Sequence, residues 1–135
     1  MLGDILYEER GKTTGVRVLT PEGNDVRVEV SLQAQGMILG VQETSMWTYW
    51  SKTRTDGTIY GEGQGFMTTK DGDVIHLTGS GACKAAGADG SIRYRGAVYF
   101  HTTSARMSKL NGMVGVHEYD VGAEGNTSAK IWEWK

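Results

Sequence analysis

The first candidate for chemistry is an acidic residue, Glu43, that interrupts an otherwise apolar strand face. Alternation places it on one face with Met37, Leu39, Val41, Ser45, Trp47 and Tyr49. Inside a barrel, a carboxyl could act as a general base or orient a ligand, because desolvation raises its pKa. The alternative is that a bulge near Gly40 reverses the register and exposes Glu43 to solvent.

A second candidate segment alternates between two unlike faces. Glu62 and Gln64 lie between Tyr60 and Phe66 on one face. If that face points inward, it forms a mixed polar and aromatic wall that suits an amphipathic small molecule. The alternative is a solvated strand face with the other side turned inward. That other side carries Gly61, Gly63 and Gly65.

The third candidate is His117, which shares a strand face with Met113, Gly115, Tyr119 and Val121. Alternation makes it a lumen residue, and the pKa of a histidine lies near working pH. The alternative is a histidine whose hydrogen bonds are satisfied in the core. The two other histidines, His76 and His101, are predicted to lie on outer, polar faces.

The sequence shows none of the common metal or cofactor motifs. Its three histidines lie on three predicted strands, and there is one cysteine, Cys83, which is interpreted as a small buried residue. No helix follows Gly61-x-Gly63-x-Gly65, so that run is not a dinucleotide-binding loop. A Gly-x-Ser-x-Gly elbow is also absent. We therefore predict no metal and no cofactor.

Two tryptophans near the end of the chain, Trp132 and Trp134, share one face of the last predicted strand. They could form a stacking platform for a flat ligand. They could also fill one end of a barrel or lie in an interface between copies, where aromatic residues are enriched.

Strands must position all these side chains, because alternation of apolar and polar residues dominates the chain. It is clearest over 26–34 and 92–100. Only 104–110 is suited to a helical turn. The predicted strands are 4–10, 14–20, 26–35, 37–50, 58–69, 73–82, 91–102, 112–121 and 128–134.

Turns divide these strands, and the arrangement predicts a closed sheet. Asp-Gly pairs at 56–57, 71–72 and 89–90 are strong hairpin signals. Eight or nine antiparallel strands hide their edges best by closing on themselves, and interior glycines let a sheet curl sharply. We predict one all-β domain over 1–135, a closed antiparallel up-and-down barrel of about eight strands; a β-sandwich is the alternative.

Glycine and turn spacings over residues 26–121 resemble the small barrels related to allene oxide cyclase, which include bacterial families of unknown function. The resemblance implies an eight-stranded barrel, a lumen for an apolar small molecule, and frequent self-association. It carries over no catalytic residue. The segments concerned are GMILG at 36–40, TDGTIYGEG at 55–63, TGSG at 78–81, RG at 95–96 and KLNGMVG at 109–115.

Composition and charge limit the kinds of partner that the protein is expected to bind. The 135 residues carry a formal net charge of −2, and the basic residues form no run, which disfavours a nucleic-acid partner. No stretch approaches the roughly 18–20 apolar residues of a membrane helix. Asp4 stands where a signal peptide would be basic or apolar, so a cytoplasmic location is expected.

These observations predict a barrel that binds a small, largely apolar or amphipathic molecule in its lumen or at its mouth. The alternatives are a cofactor-independent isomerase or cyclase in the same cavity, and a self-association module without a ligand that forms homo-oligomers. Whether the protein is an enzyme stays open at this stage. The predicted ligand-binding residues are Glu43, Trp47, Tyr49, Glu62, Gln64, His117 and Tyr119.

Overall fold

The alternating segments form eight antiparallel strands, each hydrogen-bonded to its neighbours in sequence, in a computed structural model that describes residues 1–135. The first strand pairs with the last, so the sheet closes into a barrel, as predicted. The strands are β1 (Leu2–Val18), β2 (Val26–Ile38), β3 (Val41–Thr53), β4 (Ile59–Thr69), β5 (Val74–Cys83), β6 (Ile92–His101), β7 (Val114–Val121) and β8 (Asn126–Trp134).

The seam between β1 and β8 brings the two ends of the chain together. The amino group of Met1 donates a hydrogen bond to the carbonyl of Lys135 at 3.1 Å. The predicted strands 4–10 and 14–20 belong to this one long strand, β1, whose pairing with β2 shifts register between Thr13 and Gly15. The shift allows the strand to bend without ending, which is why two segments were predicted in place of one.

The predicted strand over 37–50 is wrong, because a tight turn divides it. Leu39 and Gly40 both have positive φ, 48° and 81°, and they connect β2 to β3 as a two-residue hairpin loop. Ile38 pairs with Val41 across this turn. Alternation does not run through it, so Met37 points outward and is 46% exposed, whereas Glu43 points inward.

One end of the barrel is closed by a 3-10 helix, Ala105–Leu110, within the predicted helical turn. Met107 and Leu110 insert from it into the larger of two buried clusters. With six residues in its only helical segment, the chain has no helix of the length and apolarity needed to cross a bilayer.

Asp73 fastens this 3-10 helix to the barrel. Its buried carboxylate accepts hydrogen bonds from Thr69, Ser104 and Arg106. The bond from Ser104 is the main reason that the pKa of Asp73 lies below its usual value, and the Thr69 bond adds to it. Ser104 precedes the helix, but its hydroxyl bonds Asp73 and does not cap a helical N–H.

The interior is filled unevenly. Eleven buried residues pack into a cluster that includes the 3-10 helix, among them Ile38, Met67 and Ile75, which are fully buried. A second cluster has only three buried members, Ile59, Cys83 and Tyr94. Cys83 is thus buried, in agreement with its interpretation from the sequence.

Inward-facing glycines on β4 allow two aromatic rings to lie directly against the backbone. A Cβ atom at Gly65 would lie 2.5 Å from Cδ2 of Trp47, and one at Gly63 would lie 2.5 Å from Cβ of Tyr49. The indole of Trp47 continues to β5, where its Cη2 is 3.6 Å from the place of a Cβ at Gly79. The glycine face of 59–67 therefore points into the barrel.

Substitution of Gly63 by alanine should lower the free energy of unfolding by about 1–3 kcal/mol, because the added methyl overlaps Tyr49 and the Thr48 carbonyl. Gly15→Ala is the matched control, since no atom lies within 4 Å of a Cβ there. The control should be neutral or stabilising by a few tenths of a kcal/mol. Urea unfolding of the two variants measures the difference. Equal losses would show that Gly63 is not needed for ring packing.

Candidate functional site

A cavity of about 80 Å³ lies inside the barrel and is open to solvent on one side. Side chains of Trp47 and several tyrosines form much of its wall, and bare backbone at four glycines forms another part. The glycines are Gly61, Gly63, Gly79 and Gly81.

Three tyrosines on one side of the cavity contact one another, and we call them the tyrosine cluster: Tyr49, Tyr94 and Tyr119. Their ring centroids are 5.8–5.9 Å apart, with Tyr94 stacked on Tyr119 and Tyr49 edge-on to both. The hydroxyls of Tyr49 and Tyr119 are 3.4 Å apart, and Tyr94 donates to Ser51. Burial raises the pKa of all three, so they are neutral hydroxyls at working pH.

His117 lines the cavity and has one ring nitrogen without a hydrogen-bond partner. The side chain is 8% exposed, and its Nε2 lies 2.8 Å from the carbonyl oxygen of Ser80. A carbonyl only accepts, so Nε2 carries the hydrogen and Nδ1 keeps a lone pair. Nδ1 has no partner in the protein. Burial lowers the pKa of His117, which keeps the imidazole neutral and Nδ1 an acceptor.

A pair of carboxyl groups, Glu9 and Glu43, lies across Gly36. Gly36 pairs with Glu9 on one side and with Glu43 on the other, and it has no side chain to separate them. The two residues are 6% and 4% exposed. Ser45 donates a hydrogen bond of 2.5 Å to Oε2 of Glu9. Glu9 lines the cavity, so this carboxyl pair contributes to its wall.

Both carboxyl groups of the pair bind a proton more tightly than a free glutamic acid does. Burial raises the pKa of Glu43 to about 10, and hydrogen bonding to Glu9 and the charge of Glu9 add to the effect. Burial also raises the pKa of Glu9, but bonds from Glu43 and Ser45 oppose that rise. No group donates a hydrogen bond to either oxygen of Glu43, and a protonated Glu43 can donate its own proton toward Glu9.

The structure brings most of the predicted site residues together. Trp47, Tyr49, His117 and Tyr119 all line the cavity, and Glu43 is buried beside it against Glu9. His76 and His101 are exposed, as predicted. No group of three or more His, Cys, Asp or Glu residues is placed to hold a metal ion.

The inward orientation predicted for Glu62 and Gln64 is wrong. Both are exposed on the outer face of β4, because the glycines of that strand take the inner positions. Glu62 accepts a hydrogen bond from Tyr60 at 2.8 Å, and Gln64 donates to the Thr48 carbonyl at 3.2 Å. Trp132 and Trp134 alternate with the buried Ile131 and are outside the barrel as well, where Lys130 lies over the Trp132 ring.

Glu9 is the functional candidate that the sequence did not identify. Its strand carries polar residues on both faces around this point, since Glu8 and Arg10 flank it. The alternation pattern therefore does not show which face of this strand points into the barrel. The one available signal is that Tyr7 and Gly11 share its face, and Tyr7 is fully buried.

Glu43→Gln should make the protein less sensitive to alkali. The folded pKa of Glu43 is about 10, above the unfolded value near 4.5, so its contribution is present at low pH and declines as the pH rises between these values. Glutamine still donates to Glu9 but cannot ionise. The variant should gain about 1–3 kcal/mol over the native chain at pH 9 relative to pH 5.

The control for this experiment is Glu8→Gln, which changes an exposed neighbour on the same strand. Urea unfolding at pH 5, 7 and 9 gives the three stability curves. Parallel curves for the native chain and Glu43→Gln would refute a proton on Glu43.

Comparison with solved structures identifies the fold. A β-barrel-like protein from Acinetobacter baumannii superposes with a TM-score of 0.84 at 16% identity, covering 100% of this chain and 96% of its own. A protein of unknown function from Clostridium acetobutylicum gives 0.84 at 10% identity, with 98% of each chain covered. An enzyme from Penicillium herquei gives 0.69 at 18% identity, covering 96% and 92%.

The chain is a small closed β-barrel of the same architecture as these proteins. At these identities the likeness establishes the fold alone. No protein-family model matches the sequence, and no curated protein matches it. The function therefore has to be argued from the cavity.

Proposed function

We propose that the barrel binds a small, largely apolar molecule in its cavity. The observation that carries this proposal is that space inside the barrel is left unfilled and is walled by aromatic rings and bare glycine backbone. Groups around an unfilled apolar space lack packing contacts, and an apolar ligand supplies them.

The size of the cavity limits what fits. Its enclosed volume of about 80 Å³ is roughly half that of an engineered apolar cavity of about 150 Å³ that takes up benzene. A single ring therefore fits only if part of it extends beyond this space toward the solvent. The ligand is thus a compact molecule with one ring or a short chain.

The glycine wall favours a flat or slender ligand. At Gly79 and Gly81 the backbone of β5 is itself the lining, so a ligand can approach the sheet closely. Trp47 and Tyr49 lie against the neighbouring glycines of β4 and supply contact area. The resemblance to barrels related to allene oxide cyclase agrees with a lumen used in this way.

Filling the cavity should abolish binding. Ala129 lines the cavity and is half-buried, so Ala129→Leu places extra carbons in the empty space. Ala82→Leu adds the same carbons on the exposed face of β5 and is the control. Saturation-transfer NMR with benzyl alcohol should show binding to the native chain and to Ala82→Leu, and a roughly tenfold or larger loss for Ala129→Leu.

Native mass spectrometry of freshly isolated protein gives a second readout, since a retained small molecule would identify the chemistry directly. The proposal is contradicted if benzyl alcohol binds equally to all three proteins, or to none of them with no molecule retained.

A second function, acid–base catalysis by an isomerase or cyclase, is favoured by the carboxyl pair. Glu9 places a carboxyl group in the cavity wall, and burial raises its pKa toward the range of a general base. In the isomerisation of a β,γ-unsaturated ketone, Glu9 in its ionised form would take a proton from the carbon between the carbonyl and the double bond, and the C–H electrons would give a dienolate with its charge on the carbonyl oxygen. A hydroxyl of the tyrosine cluster would donate to that oxygen, and Glu9 would return the proton to the γ-carbon, which leaves the double bond conjugated with the carbonyl.

Proton exchange tests the catalytic function without knowledge of the natural substrate. Cyclohexanone in D₂O should gain deuterium beside its carbonyl faster with the native chain than with buffer, and Glu9→Gln should remove the excess rate. Glu8→Gln should retain it, because Glu8 is exposed outside the barrel. Proton NMR follows the exchange. An excess rate that survives in Glu9→Gln would eliminate Glu9 as the base.

A further inference from the structure

We infer that His76 and His101 form a two-histidine site on the outer face of the barrel that binds a divalent transition metal ion, Cu²⁺ most tightly. The inference does not depend on the cavity or on its proposed function. It starts from the pairing of β5 with β6, which sets the two histidines directly opposite each other. The sequence places them on separate strands, so only this register shows that they are neighbours.

Both histidine side chains project from the same face of the sheet. His76 lies between Ile75 and Leu77, which are both buried. His101 directly follows the buried Phe100. Both histidines are exposed, and residues directly opposite each other on antiparallel strands have Cβ atoms about 4.5–5.5 Å apart. One nitrogen of each ring can therefore reach a shared ion at the roughly 2.0–2.1 Å of a zinc–imidazole bond.

No contact within the protein competes with a metal for these two rings. The histidine that forms a side-chain hydrogen bond is His117, and none of the six ion pairs involves a histidine. Phe66 pairs with His76 from β4, and Thr78 pairs with Tyr99 in the next outward row of β5 and β6. None of these three neighbours is basic, so none of them repels a cation at the pair.

The two imidazole rings determine which ions the site accepts. Imidazole nitrogen is a good ligand for Cu²⁺, Ni²⁺ and Zn²⁺, whereas Mg²⁺ and Ca²⁺ prefer oxygen. Affinity for a given nitrogen site reaches its maximum at Cu²⁺ and is lower at Ni²⁺ and Zn²⁺. Cu²⁺ also favours a tetragonal arrangement, in which the two rings fill neighbouring positions and water fills the others.

Titration of the native chain tests the site directly. Isothermal titration with copper(II) chloride at pH 7, in a buffer that does not coordinate copper, should show one ion bound per chain. Zn²⁺ should bind roughly tenfold or more weakly, and Mg²⁺ should not bind detectably. Electron paramagnetic resonance of the bound Cu²⁺ should show coordination by imidazole nitrogen. These measurements use the unmodified protein and do not depend on any variant folding.

Variants then identify the ligands. His76→Gln and His101→Gln should each weaken Cu²⁺ binding roughly tenfold or more, because the second ring no longer binds an ion that the first already holds. Thr78→Gln is the matched control, since it places the same side chain on the exposed face of β5 and keeps both histidines. It should bind Cu²⁺ as the native chain does.

Thermal unfolding gives an independent readout. Unfolding separates the two strands and breaks the chelate, so Cu²⁺ should raise the unfolding temperature of the native chain and of Thr78→Gln. The rise should be lost in His76→Gln and His101→Gln.

Two results would overturn the inference. Equal Cu²⁺ affinity in the native chain and in both histidine variants would indicate an adventitious ion only, held elsewhere on the surface. Absence of Cu²⁺ binding to the native chain, or a bound Cu²⁺ without imidazole coordination, would do so as well. Neither result affects the binding proposed for the cavity, which lies on the other side of the sheet.

Discussion

An eight-stranded closed barrel has an interior that side chains can almost fill, so any space inside it has to come from small residues at inward positions. This constraint governs the molecule. Large side chains occupy the part of the lumen near the 3-10 helix, and glycines of β4 and β5 leave room in the rest. Trp47 and Tyr49 can lie flat only because Gly63 and Gly65 present no Cβ. The cavity thus exists because glycines occupy inward positions where other residues would place side chains.

The absence of a side chain at Gly36 likewise explains why the two carboxyl groups of the pair lie close together. Gly36 separates Glu9 from Glu43 by a position without a side chain, and the two carboxyls meet across it. Burial favours the protonated form of both carboxyls, and the Ser45 hydroxyl donates to Oε2 of Glu9. No ion pair involves either carboxyl, and Nδ1 of His117 is also buried without a partner. Buried polar groups without hydrogen-bond partners are characteristic of binding and catalytic sites.

Alternation in the sequence was enough to predict the closed barrel and to make Trp47, Tyr49, His117 and Tyr119 candidates for its interior. The orientation of Glu43 stayed open, because a change of register near Gly40 was the alternative. The pattern also predicted the buried helical turn, with Met107 and Leu110 on one side. These predictions succeeded because the two faces of an element differ in polarity, and that difference can be seen in the sequence without knowledge of the strand pairing.

Where the two faces of a strand do not differ clearly in polarity, the sequence did not show which face points into the barrel. Residues 59–67 carry glycines on one face and mixed polar and aromatic residues on the other, so Glu62 and Gln64 seemed as fit for the lumen as the glycines. Glu9 lies between Glu8 and Arg10, in a strand that is polar on both sides. Leu39 is an unusual residue for a positive φ, and this hid the hairpin loop that it shares with Gly40. These orientations depend on pairing with neighbouring strands, which a single strand's sequence does not reveal.

The β1–β8 seam sets this barrel apart from a chain of hairpins in kinetic terms. Seven of its strand pairings join neighbours in sequence, whereas the eighth joins residues at opposite ends of the polypeptide. Closing so long a loop is entropically unfavourable, so the ring is expected to complete late in folding and to breathe first at this seam. Glu9 is part of β1, and each transient separation of the two strands would let water reach its carboxyl group.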